Sequence, residues 1–346
     1  MSANVPDFRL TVGGQDLRGA IFDPAADPLD ITAKVRPRLI SLILTEKRGD
    51  EADQLEITLD DTDGKLGLPK AGAVLRLQLG WAKGRDVEPG LVDKGSFKVD
   101  EVEHSGPPDQ IRITARSADF TSNLKARREK SWHDTTVGAI VQEVAGRNGL
   151  QPRCAAALAS IQLKSVVQSR ESDMALLRRL GREYDAVATI KAGALIFSPI
   201  GSGESATGKP LAEVTLHRRD GDRHSWHLAK RDDAEGVTAS WHDRKEATKK
   251  QVTVGKADGA KKLSRTYATE AKARAAAKAA AGRAARQAAT FDYSLALGRA
   301  DLMPEQKVVV RGFKSEVDAT PWVIGEVAHS LGDGGFTTTL KLERAP

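Results

Sequence analysis

Residues Glu101-Val102-Glu103-His104-Ser105 return near the far end of the chain as Glu326-Val327-Ala328-His329-Ser330, and seven residues past each histidine an apolar run begins, at Ile111 and at Phe336. Upstream the likeness continues. Leu68-Pro69 leads into Val74-Leu75-Arg76-Leu77-Gln78-Leu79-Gly80-Trp81, and Met303-Pro304 leads into Val308-Val309-Val310-Arg311-Gly312-Phe313. Each copy reads proline, apolar strand, Gly-aromatic, strand, turn, strand. The pattern predicts two versions of one β module in a single chain, so that an oligomer would present twice as many equivalent faces as it has subunits.

A length of 346 residues allows two or three domains with cores of their own. No window reads as a secretory leader or as a membrane-spanning helix, so the sequence predicts folding in the cytoplasm. Cys154 is the only cysteine, which excludes an intrachain disulfide and a cysteine-based zinc cage; in its Ala-rich setting it reads as a small buried hydrophobe. The net charge of +6 is uneven. Between Arg244 and Thr290 thirteen Lys and Arg stand against three Asp and Glu, a local +10 that leaves −4 for the remainder. Such a segment can hold nucleic acid, a membrane surface or an acidic partner, or be a solvated face.

From Phe8 to Ala118 the periodicity is two. Leu55-Glu56-Ile57-Thr58-Leu59 alternates, as do Phe97/Val99 and Ile111/Ile113/Ala115, with turns at Asp61-Thr62-Asp63-Gly64 and Gly106-Pro107-Pro108-Asp109. An antiparallel barrel or sandwich is expected there. The period then changes to that of a helix: Val137, Ile140, Val141 and Val144 make one stripe, ended by Asn148-Gly149. A second helix is predicted from Ser172, with Leu176, Leu177, Leu180 and Tyr184 on one face and Ser172 or Asp173 as cap. Strands at 187–190 and 195–197 close this α/β unit. After a Gly/Ser/Thr-rich loop at 201–209, strands resume at 214–216 and 237–241, and a basic, alanine-rich helix is predicted over 269–289 with Ala273, Ala277, Ala280, Ala284 and Ala288 as a stripe of small side chains.

Catalytic patterns are missing. The chain has no H-E-x-x-H, G-x-S-x-G, Walker loop or strand-borne G-x-G-x-x-G, and Gly201-Ser202-Gly203-Glu204-Ser205 has no following Lys-Ser/Thr to reach a phosphate. His217, His224, His227 and His242, with Asp220 and Asp222, could be drawn as a metal site, but their spacing matches no ligand pattern. The basic helix lacks interleaved aromatics and a polar recognition face, which speaks against sequence-specific nucleic-acid binding. Neither catalytic, cofactor-binding nor metal-binding residues are assigned, and no cofactor is expected.

The residues also resemble a known family, the phage late control D and VgrG-type hub proteins of contractile tails, R-type pyocins and related injection systems. The resemblance runs through Pro6-Asp7-Phe8, Arg38-Leu39-Ile40-Ser41-Leu42 with Asp53-Gln54-Leu55 and Asp60-Asp61, and Gly95-Ser96-Phe97-Lys98-Val99-Asp100-Glu101. It continues in Thr136-Val137-Gly138-Ala139-Ile140-Val141 with Asn148-Gly149-Leu150, and in Glu171-Ser172-Asp173 leading to Leu177-Arg178-Arg179-Leu180. Pro321-Trp322-Val323-Ile324, His329 and Gly335-Phe336-Thr337-Thr338 complete it. Membership implies a non-enzymatic homotrimer at the tail tip of a virion or phage-like particle, assembled in the bacterial cytoplasm. It would join a sixfold tail tube to a threefold spike and form part of the ejection channel. Its implied partners are its own copies, the tail tube protein, a spike protein, the tape measure protein and baseplate wedge proteins.

The expected fold is α+β, mainly β: a first tube-like β-barrel over residues 1–120, an α/β insert over 121–205, and a second tube-like barrel over 206–346 that carries the basic helix. Two readings from other classes compete, a peptidoglycan-degrading tail enzyme and a DNA-binding late regulator acting through Lys272 to Arg286.

Overall fold

A computed structural model of the chain describes residues 3–13, 29–49, 52–117, 122–191, 193–203, 209–229, 236–243 and 246–346. The early strands are β1 (Val5–Gly13), β2 (Leu29–Asp30), β3 (Leu39–Lys47), β4 (Gln54–Asp60), β5 (Val74–Lys83), β6 (Gly90–Ser105) and β7 (Gln110–Ser117), with a one-turn helix α1 (Thr32–Val35) before β3. Next come α2 (Ser122–Lys125), β8 (Arg127–Thr136), α3 (Val137–Arg147), β9 (Gln151–Cys154), α4 (Ala156–Ala159), β10 (Gln162–Ser172), α5 (Asp173–Tyr184), β11 (Ala186–Lys191) and β12 (Ala194–Pro199). The last part holds β13 (Val214–His217), β14 (Gly221–Leu228), β15 (Gly236–Asp243), β16 (Thr248–Gly255), β17 (Lys261–Tyr267), α6 (Glu270–Gln287), β18 (Ala289–Leu295), β19 (Lys307–Arg311), α7 (Ser315–Asp318), β20 (Trp322–Gly332) and β21 (Gly335–Arg344).

The repeat read from the sequence is a repeat of topology. In the first part six strands lie in the order β1-β5-β6-β7-β4-β3; in the last part six lie in the order β13-β19-β20-β21-β18-β14. Each strand of one set corresponds to a strand of the other in chain order. Even the irregularities agree, since β6 bulges between Val99 and Glu101 and β20 between Ile324 and Glu326, the same offset that relates His104 to His329. A bulge places one unpaired residue at a fixed point of the ladder and turns the strand, so its recurrence marks a shared design. One pairing differs: β1 runs antiparallel to β5, while β13 runs parallel to β19.

The two sets are fused. β20 pairs with β3, so both join one 13-stranded sheet. Alternation puts Leu42, Leu44, Leu55, Ile57 and Leu77 on the inner face at 0% exposure, each contributing about 1.5–3 kcal/mol by burial. The core of the second set is aromatic: Phe291 stacks on Tyr293 at 5.8 Å and lies 5.6 Å from Trp322. Ala300, Leu331 and Phe336, all from the second set, pack into the core of the first.

Between the sets lies the α/β unit. Thr136 Oγ1 accepts the Ala139 N–H to start α3, whose stripe of Val137, Ile140, Val141 and Val144 is buried, and Gly149 takes φ +68 at its end. Ser172 Oγ does the same for α5 by accepting the Ala175 N–H, and Leu176, Leu177 and Leu180 face the sheet β11-β12-β9. The basic helix is present as α6, but its polar approach is not loop. Residues 248–255 and 261–267, to which hydrophobic pattern assigned no element, form β16 and β17 on either side of β15. Only Val252 of β16 is buried, so pairing with β15 rather than an apolar face defines these strands. The small stripe of α6 docks there: Ala273 and Ala277 reach 0% exposure against Val237, Ala239 and Val252.

Candidate assembly interface

The joint between the two sets is built by sharing one strand. Trp322 and Val323 at the start of β20 pair with β19, and after the bulge Glu326 to Gly332 pair with β3, in a register that sets Glu326 opposite Lys47, Ala328 opposite Thr45 and His329 opposite Leu44. Below the strands sits a polar network in a dry place. Lys94 Nζ donates to Glu46 Oε2 at 2.6 Å, and the two side chains are 3% and 8% exposed. Burial alone would raise the Glu46 carboxyl, but the Lys94 ammonium overrides it and holds the group well below the usual carboxylate range.

His329 completes the network at 0% exposure. Thr338 Oγ1 accepts the Arg299 N–H at 3.0 Å and shares a hydrogen bond with His329 Nδ1 at 2.9 Å. His329 Nε2 lies 3.3 Å from Glu46 Oε2 but off the line of a strong hydrogen bond. Burial and then the nearby Lys94 charge lower the His329 pKa, so the ring stays neutral near pH 7. Beside it the Trp81 indole N–H donates to Gly298 O at 2.9 Å, and its ring sits 5.5 Å from Phe336. Arg48, just past β3, donates from Nη1 to Glu343 Oε2 at 2.7 Å and pairs with Glu305.

The same joint is half-made at the two ends. In the first set, β5 covers one edge of β6 only as far as Lys98, and no described strand lies against Glu101 to Ser105 on that side. In the second set, β14 pairs with β18 and has no described strand on its other edge. β6 corresponds to β20, and β14 to β3. The consequence shows in exposure: His329 is fully buried by β3, whereas the side chain of its counterpart His104 is 47% exposed. Leu42 is fully buried, while its counterpart His224 is exposed and rests an edge on Phe313 at 5.1 Å. The buried Trp226 N–H, at the place of Leu44, has no hydrogen-bond partner among the described residues.

Comparison with known proteins agrees with this architecture. The model of the phage tail baseplate hub (GPD) family matches residues 54–335, most of the chain. The chain belongs to the phage tail baseplate hub family. It is 41% identical to the probable baseplate hub protein of Escherichia phage 186, over 98% of this chain and 92% of that one. To the corresponding protein of Escherichia phage P2 it is 42% identical, over 92% and 91%. The 43 kDa tail protein of prophage MuSo2 from Shewanella oneidensis shares the fold at 13% identity, with a TM-score of 0.69 over 98% of both chains.

For a hub-family chain the residues that matter lie at joints, and the histidines fall accordingly. His224 and His227 are on β14, His242 is on β15 of a separate sheet, and the His217 backbone N–H donates to Asp220 at the end of β13. Among the described residues no three His, Cys, Asp or Glu converge as a metal site. Residues 204–208 of the Gly/Ser/Thr-rich loop lie outside the described residues. Cys154 is half-buried rather than in the core, and burial pushes its thiol up to about 11, away from nucleophile chemistry. The Lys94 and Glu46 pair escaped notice in the sequence; the Glu-Val-x-His-Ser echo pointed at His329 but not at its partners.

Proposed function

We propose that the protein is a structural hub of a phage tail tip, a homotrimer whose six like modules form a ring between the sixfold tail tube and a threefold spike and line part of the ejection channel. The observation that carries this reading is the repeated six-strand order, because three chains with two modules each supply six near-equivalent faces. A plain threefold ring would leave half the contact surfaces of a sixfold tube unmatched. We read residues 1–120 and 206–346 as the two modules and 121–205 as an insert. The partners are its own copies, the tube and spike proteins, and the tape measure and wedge proteins nearby.

A non-enzymatic role fits the buried chemistry. The perturbed groups Glu46, His329 and Glu305 are locked into the joint rather than aimed into a cleft. The basic helix is engaged within the chain, since Arg286 forms a two-pronged pair with Asp185 at 2.6 and 2.7 Å and Arg283 donates to Arg182 O at 2.7 Å. Native mass spectrometry with and without the cognate spike and tube proteins tests the proposal. Trimers, and electron micrographs showing a sixfold-like ring, are expected. A monomer under all conditions, or cell-wall digestion on a zymogram lost with one carboxylate, would overturn it.

A further inference from the structure

We infer that copies of this chain join by β-strand pairing of the open edge of β6 in one copy with the open edge of β14 in the next, in the register of the built joint between β20 and β3. This deepens the ring proposed above and rests on it. The register follows from residue equivalences. β6 maps to β20 through the shared bulge and the common β7 and β21 partners, so Glu101 to Ser105 stand for Glu326 to Ser330. β3 pairs with β4 as β14 pairs with β18, and β4 and β18 meet β7 and β21 alike; Leu42 therefore stands for His224, Ile43 for Ser225, Leu44 for Trp226, Thr45 for His227 and Glu46 for Leu228. Transferring the built register of Val327 opposite Glu46, Ala328 opposite Thr45 and His329 opposite Leu44 sets Val102 opposite Leu228, Glu103 opposite His227, His104 opposite Trp226 and Ser105 opposite Ser225 of the neighbouring copy.

Three independent features of the two edges fit that pairing. The first is charge. Glu101 and Glu103 line a small hollow with Glu56 and Arg112, three carboxylates to one guanidinium, whereas β14 presents Arg223, His224 and His227, all exposed. Opposite charges across a ladder favour one register over its neighbours. Second, both edges expose residues that the built joint covers: Val102 is part-exposed where Val327 is sealed, and Leu228 at the end of β14 is 60% exposed. Third, the buried Trp226 N–H lacks an acceptor. In the transferred register His104 of the next copy lies directly opposite Trp226, as His329 lies opposite Leu44, which brings an imidazole nitrogen to that N–H as its acceptor.

Disulfide trapping tests the pairing in full-length protein with Cys154→Ser, which removes the only native thiol. Glu103→Cys with His227→Cys places thiols on exposed positions directly opposite across the inferred joint, within the Cα separation a disulfide spans. After mild oxidation, non-reducing gels should show covalent species up to three chains, and an equal mixture of the two single-cysteine proteins should give two-chain species only. Thr45→Cys with Ala328→Cys, opposite each other in the built joint, should close within one chain and calibrates the yield. Glu103→Cys with Ser225→Cys, two residues out of register, should cross-link at least several-fold less. A native trimer in which the in-register pair stays unlinked while the calibration pair closes, or in which the out-of-register pair links as well, overturns this inference and leaves the hub reading standing. A protein that stays monomeric with its tube and spike partners overturns both.

Discussion

Replacing Lys94 by Met tests whether the buried pair with Glu46 holds the module joint. Met keeps the length and apolar stem of Lys but takes away the ammonium bonded to a carboxylate that is 8% exposed. Left alone, Glu46 must stay charged in a dry site or take up a proton. Taking the proton at pH 7 from an ordinary carboxyl near 4.3 costs about 3.7 kcal/mol, at about 1.36 kcal/mol per pH interval. That agrees with the roughly 3–5 kcal/mol lost when a buried pair is broken from one side. For cores of this size it translates to a fall in Tm of about 7–15 °C.

The pH dependence separates this cause from simple loss of packing. Because Lys94 depresses the folded-state pKa of Glu46, the stabilisation is present above the unfolded value near 4.3 and is lost only as pH falls below it. The wild-type contribution is thus constant between pH 4.5 and 7.5, whereas the unpaired Glu46 of the variant takes up a proton on folding, so the penalty of Lys94→Met should fall by about 1.36 kcal/mol for each pH interval as pH drops towards 4.5. Adding Glu46→Gln should return most of the loss at pH 7.5, since it removes the orphaned charge. Urea unfolding followed by tryptophan fluorescence at several pH values measures all of this, with Trp81 beside the joint as reporter. A penalty that stays constant from pH 4.5 to 7.5, or a double variant no better than the single, would refute the reasoning.

Three further substitutions probe the surroundings. His329→Gln should abolish a stability loss that wild type shows as pH drops just below 6.5, because burial lowers the folded-state pKa of His329 and its neutral form is the one the fold favours; pH-resolved unfolding of both proteins reads the difference. Gly298→Ala would set a methyl group 2.4–2.6 Å from three Phe336 ring carbons, and the overpacking should cost about 1–3 kcal/mol in thermal unfolding with a changed Trp81 emission. Asp185→Asn keeps a side chain that tolerates the φ of +55 found there but strips the carboxylate from buried Arg286; a loss of about 3 kcal/mol and faster hydrogen exchange in α6 are expected.

Legibility in the sequence followed the physics of each element. The stripes of α3 and α5 show because each helix buries one face and is capped by a hydroxyl, at Thr136 and Ser172, in a position the pattern alone marks. The duplication shows because a bulge and a buried inner face recur at one offset along β6 and β20; past the turn β7 and β21 are displaced further, with four residues joining the first pair and two the second. Strands β8, β16 and β17 were not legible, for each holds at most one buried residue and owes its form to partners distant in sequence. The Glu46 and Lys94 pair is hidden for the same reason, since 48 residues separate its members and nothing local demands either charge.

The divergence between the two copies has its own logic. The internal joint forms within one chain and need never meet water, so it tolerates Leu42, Leu44, Val327 and a costly buried ion pair whose geometry specifies the register. The inferred joint between chains must first exist as two open strand edges in solution, where an apolar, flat edge invites indiscriminate pairing. At equivalent places it carries His224 for Leu42, an exposed His104 for the sealed His329, and Glu101 and Glu103 along the rim. Charge and imidazole keep each edge soluble while apart and leave the acidic edge one basic complement, so the repeat has been made unequal where assembly requires a joint that is late and selective.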